Sequence, residues 1–133
     1  DGPGGSREID AANFFTGFLE SVLQPDELLT EVRVPVATGG WAYEKFNRRA
    51  QDWAIVGVAV AEGGTGVSLV NMGATPIRAT GVEEAVASGA STADAAAVAA
   101  DGCDPPTDNN ADAGFRAHLA RVLTERALEA AAG

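Results

Sequence analysis

The sequence predicts an α+β fold: a small antiparallel sheet of three to four strands packed against a three-helix bundle. Three observations predict it. Trp41 to Arg48 alternates with period two, Ile55 to Ala61 is a short apolar run, and a glycine-rich turn separates it from Val67 to Met72. Between residues 111 and 132, apolar side chains return every three to four positions. Strands come first and helices afterwards, without the strand–helix–strand alternation of a parallel α/β sheet.

The opening Gly2-Pro3-Gly4-Gly5 is a loop by composition, and Arg7-Glu8-Ile9 suits a short strand. Asp10 offers a helix cap, and Phe14, Phe15, Phe18 and Leu19 then fall on one helical stripe, weakened by Gly17. Pro25-Asp26-Glu27 reads as a turn. Leu28 to Val34 alternates and predicts a strand that Pro35 ends. Ala37-Thr38-Gly39-Gly40 is a natural boundary. Trp41 to Arg48 predicts a strand with Trp41, Tyr43, Lys45 and Asn47 on one face and Ala42, Glu44, Phe46 and Arg48 on the other. Ile55 to Ala61 is more apolar and predicts a central strand. Glu62-Gly63-Gly64-Thr65-Gly66 predicts a hairpin turn, Val67 to Met72 a third strand, and Ile77-Arg78-Ala79 a short fourth. A short helix follows over Val82–Ala87, stopped near Gly89. An alanine-rich helix follows over Ala90–Ala100, capped by Ser91 or Thr92. The last helix runs from Ala111 to Ala132, with Phe115, Leu119, Val122, Leu123 and Ala127 as its buried stripe.

At 133 residues the chain is long enough for a real core. Only 6% of it is aromatic, so Val, Leu, Ile and Ala must fill that core. A formal charge of −10 argues against nucleic acid and anionic membranes as partners. No apolar run approaches a membrane span. The single cysteine, Cys103, excludes an internal disulfide and fits a reducing cytoplasm. The glycine-rich opening carries no initiator Met and reads as the middle of a longer polypeptide.

No catalytic set is visible. The single histidine, His118, has Gly114 and Val122 as its helical neighbours, which suits a solvent-facing or packing role. Cys103 lies beside Asp101 and Asp104, and acidic neighbours raise a thiol pKa. Neither glycine cluster joins a strand to a helix with nucleotide-binding spacing. Glu83-Glu84 reads as a solvated helix face. Arg48-Arg49-Ala50-Gln51-Asp52 stands out in so acidic a chain, and two readings fit it. One is a charged loop with Arg48 or Arg49 paired to Asp52. The other is a polar loop at a sheet end, with guanidinium groups offered to an anion or an aromatic ring system.

At these residues the sequence resembles a known family. Lys45 to Val56 is similar to the K-x-x-R-R-x-x-D-x-A-x-V stretch of the FAD-binding medium subunits of molybdenum hydroxylases, the carbon monoxide dehydrogenase and xanthine dehydrogenase enzymes. The segment from Gly4 to Ile9, the Phe14-Phe15-Thr16-Gly17 run and the Glu27–Pro35 stretch resemble the end of that family's FAD domain. Gly73–Ala79 and Asp104–Asp108 resemble parts of its C-terminal domain. The likeness covers nearly the whole chain in order.

The resemblance implies a division into residues 1–38, a tail of the FAD-binding domain, and residues 39–133, the C-terminal α+β domain. It implies a role in relaying electrons from iron–sulfur clusters through FAD to an acceptor. Its partners would be a molybdenum-containing large subunit and an iron–sulfur small subunit. It also implies flavin-contacting roles for Leu29, Lys45, Arg48, Arg49 and Asp52. The family holds most of its FAD through A-G-G-x-S/T-like and T-I/L-G-G-like loops, and neither occurs here, so tight FAD binding by this chain alone is not expected. Gln51 stands where some relatives carry an acid, and Trp53 replaces a smaller apolar residue. A stand-alone interaction domain of the same fold, without flavin, is the alternative. No residue set supports an independent enzyme.

Overall fold

Val56, Val58 and Val60 put one face of a strand entirely out of water, and the sheet is built around that strand. The computed structural model describes all 133 residues. They divide into two units, Asp1–Val36 and Ala37–Gly133.

In the larger unit, β3 (Ala42–Phe46), β4 (Val56–Ala61), β5 (Gly66–Val70) and β6 (Ile77–Arg78) form one antiparallel sheet in sequence order. Ala42 lies opposite Val60 and Phe46 opposite Val56, while Gly57 lies opposite Val70. This register puts Ala42, Val56, Val58, Val60, Val67 and Leu69 on the inner face, all of them buried. Tyr43, Lys45, Ser68 and Val70 fall on the other face and are exposed. The β4–β5 turn is a 3-10 turn over Glu62–Gly64, with Gly63 and Gly64 in the left-handed region at φ 65° and 106°. Glu62 accepts the backbone N–H of Thr38 at 2.9 Å and of Gly39 at 3.0 Å, which ties the entry to β3 against this turn.

Three helices follow: α1 (Thr80–Ala87), α2 (Thr92–Ala97) and α3 (Ala113–Ala132). Ser91 caps α2 by accepting from the Asp94 N–H at 3.1 Å, and Asp112 caps α3 by accepting from the Phe115 N–H at 2.7 Å. Helix α3 covers the inner face of the sheet, and Met72, Val82, Ala95 and Ala99 extend the same core beneath α1 and α2. The α+β architecture is the one that the strand and helix periods predict.

The structure corrects several expectations. On α3 the buried positions are Arg116, Leu119, Ala120, Leu123, Thr124, Ala127, Leu128 and Ala131. Phe115 is 42% exposed and Val122 only half-buried, so the buried stripe is turned toward Arg116 and Thr124. Alanine supplies much of the contact, which weakens the apolar period that a sequence reveals. Glu83 is not a solvated helix face. It accepts the Val67 N–H at 2.8 Å and pairs with Arg78 at 2.8 Å, closing the end of β5. The alanine-rich helix is shorter than expected, Thr92–Ala97 within the span 90–100.

In the smaller unit there is no helix over residues 10–19. A 3-10 turn over Ala11–Asn13 leads into a small hairpin of β1 (Phe15–Gly17) and β2 (Glu20–Ser21). Leu19 turns that hairpin at φ 58°, and Phe18 and Leu19 point into solvent, 74% and 82% exposed. Neither 7–9 nor 28–35 forms a strand. The staple of this unit is Arg7. Its Nε and Nη2 each reach a different carboxylate oxygen of Glu27 at 2.7 Å, and Nη2 also donates to the Val22 carbonyl at 3.0 Å. Glu27 in turn accepts the Gln24 N–H at 2.8 Å.

Two predictions follow from this packing. A Cβ at Gly40 would sit 1.8 Å from the Ala131 carbonyl oxygen, a backbone atom that cannot step aside. Gly40→Ala is expected to cost at least about 2 kcal/mol and lower the melting temperature by on the order of 10 °C. Thermal unfolding followed by circular dichroism checks this, and an unchanged midpoint would refute the close approach.

The second concerns Glu27. The Arg7 hydrogen bonds, followed by the Gln24 N–H, hold its carboxyl down at about 2. A depressed folded value means that this stabilisation is present above the ordinary carboxylate range and is lost as pH falls through about 2. The NMR titration of the Glu27 side chain should have its midpoint near that value, and Arg7→Ala should return it to the ordinary range.

Candidate functional site

The nine residues between β3 and β4, Asn47 to Ile55, form the candidate site. Strand pairing brings Phe46 and Val56 opposite each other, so the loop leaves and re-enters the sheet at one end. Its turn is self-bonded. The Asn47 side-chain amide donates to the Arg49 carbonyl, and the Asp52 N–H donates to the same carbonyl at 3.0 Å. At the base, the Ile55 N–H donates to the Phe46 carbonyl at 2.8 Å.

The charges on this loop are uncompensated. Arg7, Arg33, Arg78 and Arg116 all pair with carboxylates. Lys45, Arg48 and Arg49 have no carboxylate within ion-pair distance. The expected pairing of Arg48 or Arg49 with Asp52 is therefore absent: the contact between residues 49 and 52 is made by backbone atoms. Arg48 and Arg49 are exposed and Asp52 is half-buried. Trp53 lies 83% exposed beside them. In a chain of charge −10 this places a local concentration of positive charge next to an aromatic surface.

Of the residues singled out in the sequence, Lys45, Arg48, Arg49 and Asp52 come together on this loop and on the strand leading to it. Leu29 belongs to the other unit, in an extended exposed segment. Phe46 packs edge-to-face on Phe115 with ring centroids 6.0 Å apart, and His118 stacks on Phe115 at 6.5 Å. His118 is thus a packing residue at the helix surface. Burial, and then Asp101, push the Cys103 thiol pKa up, which keeps it protonated and unreactive. No cluster of His, Cys, Asp and Glu has the makings of a metal site. No helix is long and apolar enough to cross a membrane.

Sequence reasoning missed the groups beneath the loop. Arg116 is fully buried. It donates through Nη1 to the Ile55 carbonyl and pairs through Nη2 with Asp108 at 2.8 Å. Asn71 donates its side-chain amide to the Ala54 carbonyl at 3.0 Å and the Ile55 carbonyl at 3.2 Å. Their targets are main-chain oxygens, which leave no mark in a sequence.

Comparison with known proteins gives a consistent answer. A family described as the CO dehydrogenase flavoprotein C-terminal domain matches residues 41–131. The carbon monoxide dehydrogenase medium chain of Hydrogenophaga pseudoflava is 36% identical over 98% of this chain and 50% of its own length. The caffeine dehydrogenase subunit beta of Pseudomonas sp. (strain CBB1) is also 36% identical, over 96% of this chain and 48% of its own. Among solved structures, CO dehydrogenase from Oligotropha carboxidovorans superposes with a TM-score of 0.88 at 30% identity, over 98% of this chain and 50% of that one. Quinoline 2-oxidoreductase from Pseudomonas putida 86 gives a TM-score of 0.87 at 25% identity over the same shares. The chain spans about half the length of the curated relatives it matches.

Proposed function

The chain belongs to the CO dehydrogenase flavoprotein C-terminal domain family, and from that premise we propose that it serves electron relay in a molybdenum hydroxylase. In this reading residues 1–38 are the tail of an FAD-binding domain and residues 39–133 the C-terminal domain. The partners are a molybdenum-containing large subunit and an iron–sulfur small subunit, assembled in the cytoplasm. The observation that carries the reading is the set of unpaired cations Arg48 and Arg49 on one exposed, self-bonded loop, with Lys45 on the strand leading to it.

The donor set fits one part of FAD and not another. Free guanidinium groups beside an exposed indole suit an electron-rich ring edge. No glycine loop of the larger unit makes a phosphate cradle. Gly63 is occupied in the β4–β5 turn, and Gly64 is packed against Leu128 and Val86. The residues of the larger unit that would meet the flavin are Arg48, Arg49 and Asp52, with Lys45 on the strand behind them.

When bound in the complete subunit, FAD supplies the redox chemistry, and its reduction adds negative charge to the ring system. Arg48 and Arg49 present positive potential at the loop tip, and Asp52 subtracts from it. One unit charge about 8 Å away, at an effective dielectric near 20, is worth roughly 2 kcal/mol before salt screening. Charge on this loop is therefore sufficient to tune a potential by tens of millivolts, as an order of magnitude.

In the complete subunit, Arg48→Gln and Arg49→Gln should each lower the flavin midpoint potential, and Asp52→Asn should raise it. Spectroelectrochemistry reads this directly. Unchanged potentials at normal flavin content would overturn the placement. Isothermal titration of this chain with FAD should be flat, because the phosphate donors lie outside it; micromolar binding would contradict that.

A further inference from the structure

We propose that Arg116 is a positioning residue for the Arg48–Arg49–Asp52 loop, acting through the Ile55 carbonyl from beneath the sheet. The inference rests on the flavin-facing reading of that loop for its functional consequence, but its structural core stands apart from it.

Arg116 is the largest fully buried side chain in the molecule. It projects from α3, the helix that covers the inner face of the sheet. Asp108 holds it from the loop preceding that helix. Asp108 is itself fixed, because its Oδ1 accepts the N–H of Asn110 at 2.8 Å and of Ala111 at 3.1 Å. The other end of the guanidinium reaches the Ile55 carbonyl, the last one before β4 begins. Asn71 reaches the same carbonyl and its neighbour from the end of β5. Asn71 sits at φ 62°, a left-handed conformation that asparagine tolerates, and this turns its amide back toward the loop. Two side chains from two elements thus converge on the closing residues of one loop.

Stability alone does not account for an arginine here. A guanidinium taken out of water is costly even when paired, and an apolar side chain of similar volume is often as good or better for stability. Arg116 also leaves its Nε without a partner, so the burial is not even fully compensated. An apolar residue would fill the same space on α3, but it has no donor for Ile55. What the arginine adds is direction: it fixes where the Ile55 carbonyl points, and with it the path of the chain back to Asp52 and Arg49.

The test compares Arg116→Met and Asn71→Gly in this 133-residue chain by amide hydrogen exchange. Glycine keeps the left-handed backbone at 71 and removes only the amide donors. Exchange at the Asp52 and Ile55 amides should accelerate at least tenfold in both variants, while the β4 and β5 amides stay protected. Arg121→Met, which removes an exposed side chain bonded to the Ala97 carbonyl, should leave the loop unchanged. If Arg116→Met does not fold, Asp108→Asn takes its place, since the amide retains the Oδ1 acceptor and loses the charge. Unaltered loop exchange overturns the proposal.

In the flavin-loaded complete subunit, Arg116→Met should lower the midpoint potential in the same direction as Arg48→Gln, and Arg116→Lys should restore part of the shift. If the loop loosens while no loop variant moves the potential, the clamp stands and the flavin-facing reading falls. If Arg48→Gln moves the potential and Arg116→Met does not, the reading stands and the positioning role falls.

Discussion

Everything in the larger unit depends on one contact, the burial of the inner sheet face under α3. Val56, Val58, Val60, Val67 and Leu69 are almost fully removed from water by it. At roughly 25 cal/mol per Å² of apolar surface, such burial is the main favourable term available to a domain with so few aromatic residues. The geometry of the contact then dictates much else. Alanine at 120, 127 and 131 lets the helix lie close to the strands. Gly40 is required because the chain entering β3 passes against the end of that helix. The polar clamp on Ile55 exists only because α3 runs under the point where the loop rejoins the sheet.

The sheet was legible because its constraint is local. A strand with one buried face must alternate, and Ala42, Glu44 and Phe46 against Tyr43 and Lys45 show that alternation directly. The alanine-rich helix was legible through its cap, Ser91, and the last helix through the three-to-four spacing of its apolar residues, while the cap of that helix, Asp112, was not read. The stripe of α3 was misread because apolar spacing alone put Phe115 and Val122 in it and left Arg116 out. The partner that lets it turn inward, Asp108, lies eight positions earlier and outside the helix, where helical spacing gives no cue. The first 36 residues misled for a different reason. The spacing of Phe14, Phe15, Phe18 and Leu19 is helical, but the left-handed turn at Leu19 breaks the pattern, and no core is present for such a stripe to cover. The candidate loop was legible as a motif, and its turn geometry and its anchoring were not.

The electrostatics of the molecule divide along the same lines. Three of the eight arginines are structural: Arg7 staples the smaller unit, Arg78 closes the end of the sheet with Glu83, and Arg116 is sealed in the core. Of the cations without a carboxylate partner, Arg48 and Arg49 lie on one self-bonded loop with Lys45 on the strand before it, while Arg121 and Arg126 stand apart on α3. Positive charge held in one place by backbone hydrogen bonds acts as a fixed field source. The same charge on a floppy loop would be averaged by motion and counterions. The loop's internal bonds fix the backbone from which Arg48 and Arg49 project.

The stretch from Leu28 to Val36 has a practical consequence for handling the protein. Leu28, Leu29, Val32, Val34 and Val36 are all exposed, and beyond Leu28 no residue there makes a backbone hydrogen bond. Such a ribbon is a ready template for pairing with another copy of itself. Glu31 and Arg33 interrupt it, but they neutralise each other and so offer little net repulsion. Colloidal stability then rests on the overall negative charge. Concentrated or high-salt solutions screen that charge, and acid removes it. Under those conditions the isolated chain should associate through this ribbon while its folded core remains intact.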